Sequence, residues 1–340
     1  SRRVHDLVAQ QTRELNENLL PKLAAEGLAI LKPEQLPEDK LAALDERFHS
    51  EVFPILTPIA IDPGHPFPRV RNKSLNIGVM FVREGTIEPA FGVVQVPTML
   101  PRLLEVSGVH LQSGQLARHA YVLMEDLIAR HVGLIFPGQR IRGLYVFRVT
   151  RNFDIEIDEE EAEDLLQTIQ QELRRRERGN AVRLEVTGDP PPASLTKLLK
   201  ALRLDPERDL YAVDGMLNVS DLMKIATREE RRDLRDEPFT PQVVPPFREA
   251  DDLFAVVREG DVLLQHPYES FESIVEFISR AADDPDVLAI KQTLYRAGGD
   301  SPIVRALARA AEAGKQVTAI VELKARFDEE SNIQWARTLE

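Results

Sequence analysis

The most constraining feature of the sequence is a strict alternation that begins at residue 261 and runs to residue 340. Short apolar runs at 261–265, 287–293 and 316–323 read as strands, and amphipathic stretches at 271–281, 302–313 and from 328 onward read as helices. Such a β-α-β-α-β-α order builds a parallel sheet with right-handed crossovers. All its strands then point one way, so their carboxyl ends collect along one edge, which is where open α/β sheets bind ligands.

The preceding residues follow a different pattern. Val4, Leu7, Val8, Leu15, Leu19, Leu20 and Leu23 fall mostly on one helical face that ends at Gly27, and a second helix is expected over 37–53. The proline-rich run PILTPIAIDPGHPFP (54–68) reads as a stiff, extended boundary or shaped loop. SLNIGVMFV (74–82) and EPAFGVVQVP (88–97), joined by REGTI, predict an antiparallel pair. A helix over 121–131 and a strand over 144–157 follow. The next helix opens on DEEEAED and closes on RRRER, carboxylates at its positive end and guanidinium groups at its negative end, and reads as a solvated face. A strand at 181–186, a turn at 190–192 and a helix at 194–202 complete an α+β module by about residue 235, before the linker DEPFTPQVVPPF.

Charge limits the partners. Lys and Arg number 43 against 56 Asp and Glu, a net −13, so the overall field repels nucleic acid and anionic membranes, and any polyanion needs a locally basic pocket. The absence of cysteine excludes disulfides, thiolate metal sites and a thiol nucleophile, and accords with a reducing cytoplasm. No stretch approaches the roughly 20 apolar residues of a membrane-crossing helix, and the N-terminus lacks a signal core. Ser1 in place of Met and a helical WARTLE ending suggest a segment of a longer protein. No Walker A, GxGxxG or GxSxG motif occurs, and none of His5, His49, His65, His110, His119, His131 and His266 lies in a zinc-type spacing.

The candidate chemistry lies in two matched strand ends, VLAIKQTLYR and QVTAIVELKAR. Arg296 and Arg326 take equivalent places at the carboxyl edge, with Lys291 and Lys324 nearby. GGDSP between them supplies a turn, Ser301 as helix cap and Pro302 as first helical residue, so free N–H groups also face the edge. Together these parts make a phosphate site, since a planar guanidinium holds two phosphate oxygens and stays charged. The plain alternative is surface ion pairing of both arginines with Asp300, Asp328, Glu329 or Glu330. His266 follows the 261–265 strand and falls on the same edge, or else packs on Tyr268 at a helix entry. Arg69, Arg71 and Lys73 would share one face if extended, lining a polyanion path or forming a solvated edge.

HPFPRVRNKSLNI, FGVVQVP, YVLMEDLI, YVFRVTRN, HPYESF, KQTLYR and ELKARFDEESNIQWA, in that order, resemble segments of type 1 polyphosphate kinases. The resemblance spans essentially the whole chain, and LAIKQTLYR to RFDEESNI is its most specific part. It implies reversible transfer of the terminal phosphate of ATP to inorganic polyphosphate through a phosphohistidine, with Mg²⁺. It assigns Arg296 and Arg326 to the magnesium and phosphate site; because a guanidinium offers no lone pair, they would reach the metal through phosphate oxygens. The family's nucleophilic histidine sits in a KIHAKL-like segment beyond Glu340, so the chain alone is expected to be inactive. His266 does not match that motif.

The implied architecture is an N-terminal helical remnant (1–29), an α+β head domain that dimerises (30–245) and the start of an α/β phospholipase D-like domain (246–340). ATP, ADP and polyphosphate would be its partners, in a homodimer or homotetramer without nucleic acid or a transmembrane segment, in the cytoplasm with membrane association left open. Two other readings are a non-enzymatic dimerisation and polyphosphate-binding module, and a phospholipase D-like phosphodiesterase.

Overall fold

A computed structural model describes residues 2–61, 67–83, 85, 88–152, 166, 169, 179–248, 250–296, 298–325 and 328–339. Two compact units divide the chain, one of Ser1–Asp154 with Arg176–Arg231, the other of Ile155–Arg175 with Arg232–Glu340.

The first unit opens on helix α1 (Arg2–Arg13), which continues with wider turns through Glu14–Leu19 and again as α-helix to Ala25. Gly27, at φ +79°, ends it in the left-handed conformation that an L side chain resists. Strand β1 (Leu28–Leu31), helix α2 (Glu38–Arg47) and strands β2 (Pro58–Ile61), β3 (Leu75–Arg83) and β4 (Pro89–Gln95) follow. Short strands β5 (Leu103–Glu105), β6 (Val109–His110) and β7 (Leu116–Ala117) lead to β8 (His119–Leu123) and helix α3 (Met124–Arg130). Strands β9 (Gln139–Arg151) and β10 (Ala181–Gly188), helix α4 (Pro192–Leu202) and strand β11 (Leu210–Ala212) complete the sheet.

Six strands form one sheet in the order β11-β10-β9-β3-β4-β2, antiparallel except at β10–β11. Strand β3 is central and covered on both faces, so its burial runs unbroken from Leu75 to Val82 in place of alternating. One core layer gathers Phe48, Ile77, Val79, Phe81, Leu104 and Leu127, the other Phe91, Tyr145, Phe147, Leu184 and Leu198. A three-stranded sheet, β1-β8-β5, backs the first layer.

In the second unit helix α5 (Leu253–Glu259) precedes helix α6 (Glu272–Asp283), strand β12 (Ala289–Leu294), helix α7 (Pro302–Glu312), strand β13 (Gln316–Val321) and helix α8 (Glu329–Leu339). Strands β12 and β13 are parallel and in register from Ala289↔Gln316 to Leu294↔Val321. Their inward residues pack on Val304, Leu307 and Ala310 of α7 and on Ile278 of α6. The opposite face is open, with Ile320 66% exposed.

Several expectations need correction. The run at 54–68 contributes edge strand β2 where a boundary or loop was expected; proline suits an edge, where its missing N–H costs no ladder bond. Tyr121–Leu123 belong to β8 and not to a helix, because a short apolar run fits either state and β1 and β5 flank it on both sides. The strand expected at 144–157 starts earlier, at Gln139. The acidic-to-basic helix after it lies almost wholly outside the described residues. Residues 261–265 form no strand: Leu263 is 88% exposed and no neighbouring strand pairs with it. Helices α5 and α6 thus precede the first strand of the parallel sheet, β12.

Candidate phosphate site

Arg296 stands two residues beyond the end of β12, where the chain leaves the sheet toward α7. Leu294 plugs the strand end, buried on the helix-facing side, and Tyr295 and Arg296 that follow are exposed. The guanidinium carbon of Arg296 lies 5.3 Å from the centre of the Tyr295 ring, within cation–π range. No carboxylate pairs with it among the described residues. Asp300, the nearest candidate in sequence, instead pairs with Arg305. The surface ion pair considered for Arg296 is therefore not formed with Asp300. Arg326 lies outside the described residues.

Behind this edge the backbone is held by α8. The side-chain amide of Asn332 donates to the carbonyls of Tyr295 and Glu322, each at 2.7 Å. One helical turn on, the indole of Trp335 donates to the carbonyl of Gly298 at 2.6 Å. The Glu322 N–H donates to the Leu294 carbonyl at 2.9 Å, extending the parallel ladder by one bond. Neither Asn332 nor Trp335 stood out in the sequence; their signal was the 332/335 spacing, which puts both on one side of a helix.

Helix α7 begins as expected, with Ser301 as cap and Pro302 at the first position. The Ser301 hydroxyl accepts the Val304 N–H at 3.4 Å and its carbonyl accepts the Arg305 N–H at 3.2 Å. Because Pro302 has no N–H, the first turn offers fewer free donors than the sequence suggests. Lys291 is exposed and projects from the open sheet face; Lys324 is half-buried and has partners of its own.

His266 departs from its expected place. With no strand over 261–265, nothing delivers it to the sheet edge, and its Nδ1 lies 2.8 Å from the carbonyl of Glu269, where it donates. Its ring meets Phe271 edge-on at 5.2 Å, and Tyr268 meets Phe239 instead.

In the first unit, Arg69 and Arg71 are exposed on either side of buried Val70, so these two share an outward direction. Lys73 leaves that line at φ +58°. Arg151, which sequence reasoning passed over, anchors the segment: its Nε and Nη2 donate to the Val70 carbonyl at 3.1 and 3.0 Å, and its Nη1 to that of Gly179 at 3.0 Å. Burial, and then the charge of Arg69, lower the Arg151 pKa from its ordinary value. Nearby Arg148 and Arg183 both bind Glu185, at 3.1 and 2.9 Å. The patch is locally basic in a chain that is acidic overall.

Among the described residues no three His, Asp or Glu side chains converge as a direct metal site. A guanidinium has no lone pair to give a cation, so the arginine edge suits phosphate oxygens and does not itself ligate Mg²⁺. No helix among them is long and apolar enough to cross a membrane.

Residues 39–225 match the polyphosphate kinase middle domain, and residues 252–340 match polyphosphate kinase C-terminal domain 1. Polyphosphate kinase 1 of Chlorobaculum tepidum is 46% identical over 325 residues, covering 95% of this chain and 46% of that protein. Polyphosphate kinase of Mycobacterium ulcerans is 45% identical over 339 residues, covering 98% of this chain and 46% of its own. The chain thus spans about half the length of these curated relatives. The crystal structure of polyphosphate kinase from Porphyromonas gingivalis superposes with a TM-score of 0.77 at 26% identity, over 99% of this chain and 49% of that one. With both of its main segments matched and its mixed α/β fold shared, the chain belongs to the polyphosphate kinase family.

Proposed function

We propose that the chain is the head and opening catalytic portion of a polyphosphate kinase, which moves the terminal phosphate of ATP reversibly onto inorganic polyphosphate. Arg296 carries this reading: a guanidinium without a carboxylate partner among the described residues, at the carboxyl end of a parallel strand. Phosphoryl transfer asks a protein mainly for positioning and charge neutralisation. A planar fork that takes two oxygens meets both needs. Arg296 and Arg326 together would hold the phosphate oxygens, and Mg²⁺ would be held by those oxygens and not by either arginine. The metal, when bound, neutralises charge on the transferring group. The phosphohistidine is assigned to a residue outside the 340-residue sequence. Residues 30–245 are read as the head domain that joins copies into a homodimer or homotetramer.

Incubation of the 340-residue chain with γ-labelled ATP and Mg²⁺ tests the assignment of the nucleophile. No acid-labile label is expected. A stable acid-labile label on His266 would overturn that assignment.

A further inference from the structure

We infer that Asn332 is a positioning residue for Arg296, with Trp335 as its second point of hold. The inference rests on the reading of Arg296 as a phosphate ligand and adds the device that aims it.

The Tyr295 carbonyl belongs to the same rigid peptide plane as the Arg296 nitrogen. When the Asn332 amide donates to that oxygen at 2.7 Å, it sets the orientation of the plane from which Arg296 departs. The second amide hydrogen goes to the Glu322 carbonyl, also at 2.7 Å, just past the end of β13. One side chain thereby ties together two strand ends beyond their last ladder bonds. Both acceptors are carbonyls, which determines the identity of the Asn332 nitrogen without ambiguity. Trp335 then holds Gly298, two residues after Arg296, from the same side of α8. Arg296 is therefore gripped through the backbone on both sides while its own guanidinium stays exposed and without a carboxylate partner among the described residues.

Stability of α8 alone does not explain the choice of residue. Asn332 is fully buried, and its Oδ1 accepts no hydrogen bond among the described residues. A buried orphan acceptor is unfavourable, and Asn is a poor residue for a helix interior. An apolar residue of similar size would avoid both penalties, but it would also release the two strand ends. The placement makes sense if the geometry of the edge is what matters.

A double-mutant cycle on the 340-residue chain tests this, with affinity for medium-chain inorganic polyphosphate measured by calorimetry at one fixed salt concentration. Trp335→Phe keeps an aromatic ring in the packed position and removes the indole donor; Asn332→Leu removes both amide donors. Each is expected to weaken binding by about three- to thirtyfold alone and to have no further effect in an Arg296→Ala background, as residues acting through one partner do. Equal losses in both backgrounds would show a general effect on the fold and overturn the inference, as would no loss in either. If Asn332→Leu does not fold, Trp335→Phe carries the test by itself. Absence of polyphosphate binding by the unaltered chain, or no loss on Arg296→Ala, would instead defeat the phosphate-site reading, and this inference with it.

Discussion

Arg102 and Glu125 face each other inside the first unit, both nearly inaccessible to solvent, and the guanidinium takes both carboxylate oxygens. Arg102 Nη1 also reaches Asp221 at 2.8 Å and the Asn218 carbonyl at 3.1 Å. One buried cation thus joins the segment before β5, helix α3 and the chain after β11.

Arg102→Met should therefore destabilise the first unit by about 3–5 kcal/mol, because it strands a carboxylate in the interior. Glu125→Leu added to it should recover much of that loss, since an apolar pair of similar volume is often as stable as a buried ion pair. Urea unfolding of the single and double variants measures both effects. A double variant no better than the single would show that Arg102 acts through Asp221 and Asn218 instead.

Gly78 and Tyr145 are register partners across β3 and β9. A Cβ on Gly78 would come within 2.6 Å of the Tyr145 ring. Gly78→Ala should cost about 1–3 kcal/mol through overpacking. Tyr145→Ala in the same chain should make the second change less than additive. Full additivity would mean that the ring moves aside freely.

Two aspartates should tilt the acid stability curve in opposite senses. Arg130 holds both oxygens of Asp45, at 2.9 and 3.1 Å, and lowers its pKa below the ordinary 3.8, with His131 at 2.8 Å adding to the effect. A depressed folded pKa gives stability that is present above the unfolded value and lost as pH falls through the folded one. Asp45→Asn should therefore flatten the loss of stability below about pH 4. Asp126 is raised instead, chiefly by burial, with Lys32 at 2.7 Å opposing. Its contribution is present below the unfolded value and fades as pH rises through the folded one, so Asp126→Asn should remove a slope of opposite sign above pH 3.8. Unfolding free energies between pH 2 and about 7 would reveal both slopes, and parallel curves for the two variants would contradict the assignments.

Much of this architecture is legible in local pattern. The antiparallel pair of β3 and β4, the capped start of α7 and the parallel strands β12 and β13 all follow from periodicity and from the Ser301-Pro302 signal. What local pattern misses depends on distant partners. Residues 121–123 become strand because β1 and β5 lie beside them, and 261–265 do not because no strand does. The same holds at the site. Arg296 is visible as a basic residue closing an apolar strand, whereas the hold of Asn332 on residues 37 and 10 positions away is tertiary. Arg151 is likewise hidden within a strand until its bonds to Val70 and Gly179 are seen.

If Arg296 binds phosphate through the geometry of its fork, turnover of a polyphosphate kinase that carries this chain reads that role out. Arg296→Ala should lower kcat by about 10³- to 10⁵-fold, the range for arginine contacts to a transferring phosphoryl group. Arg296→Lys should restore part of it, since lysine keeps the charge and loses the two-oxygen grip. Arg326→Ala, carried through the same assay, should fall in the same range. Near-normal turnover in Arg296→Ala, with at most a small shift in thermal midpoint, would contradict the claim and leave Arg296 as an exposed surface charge.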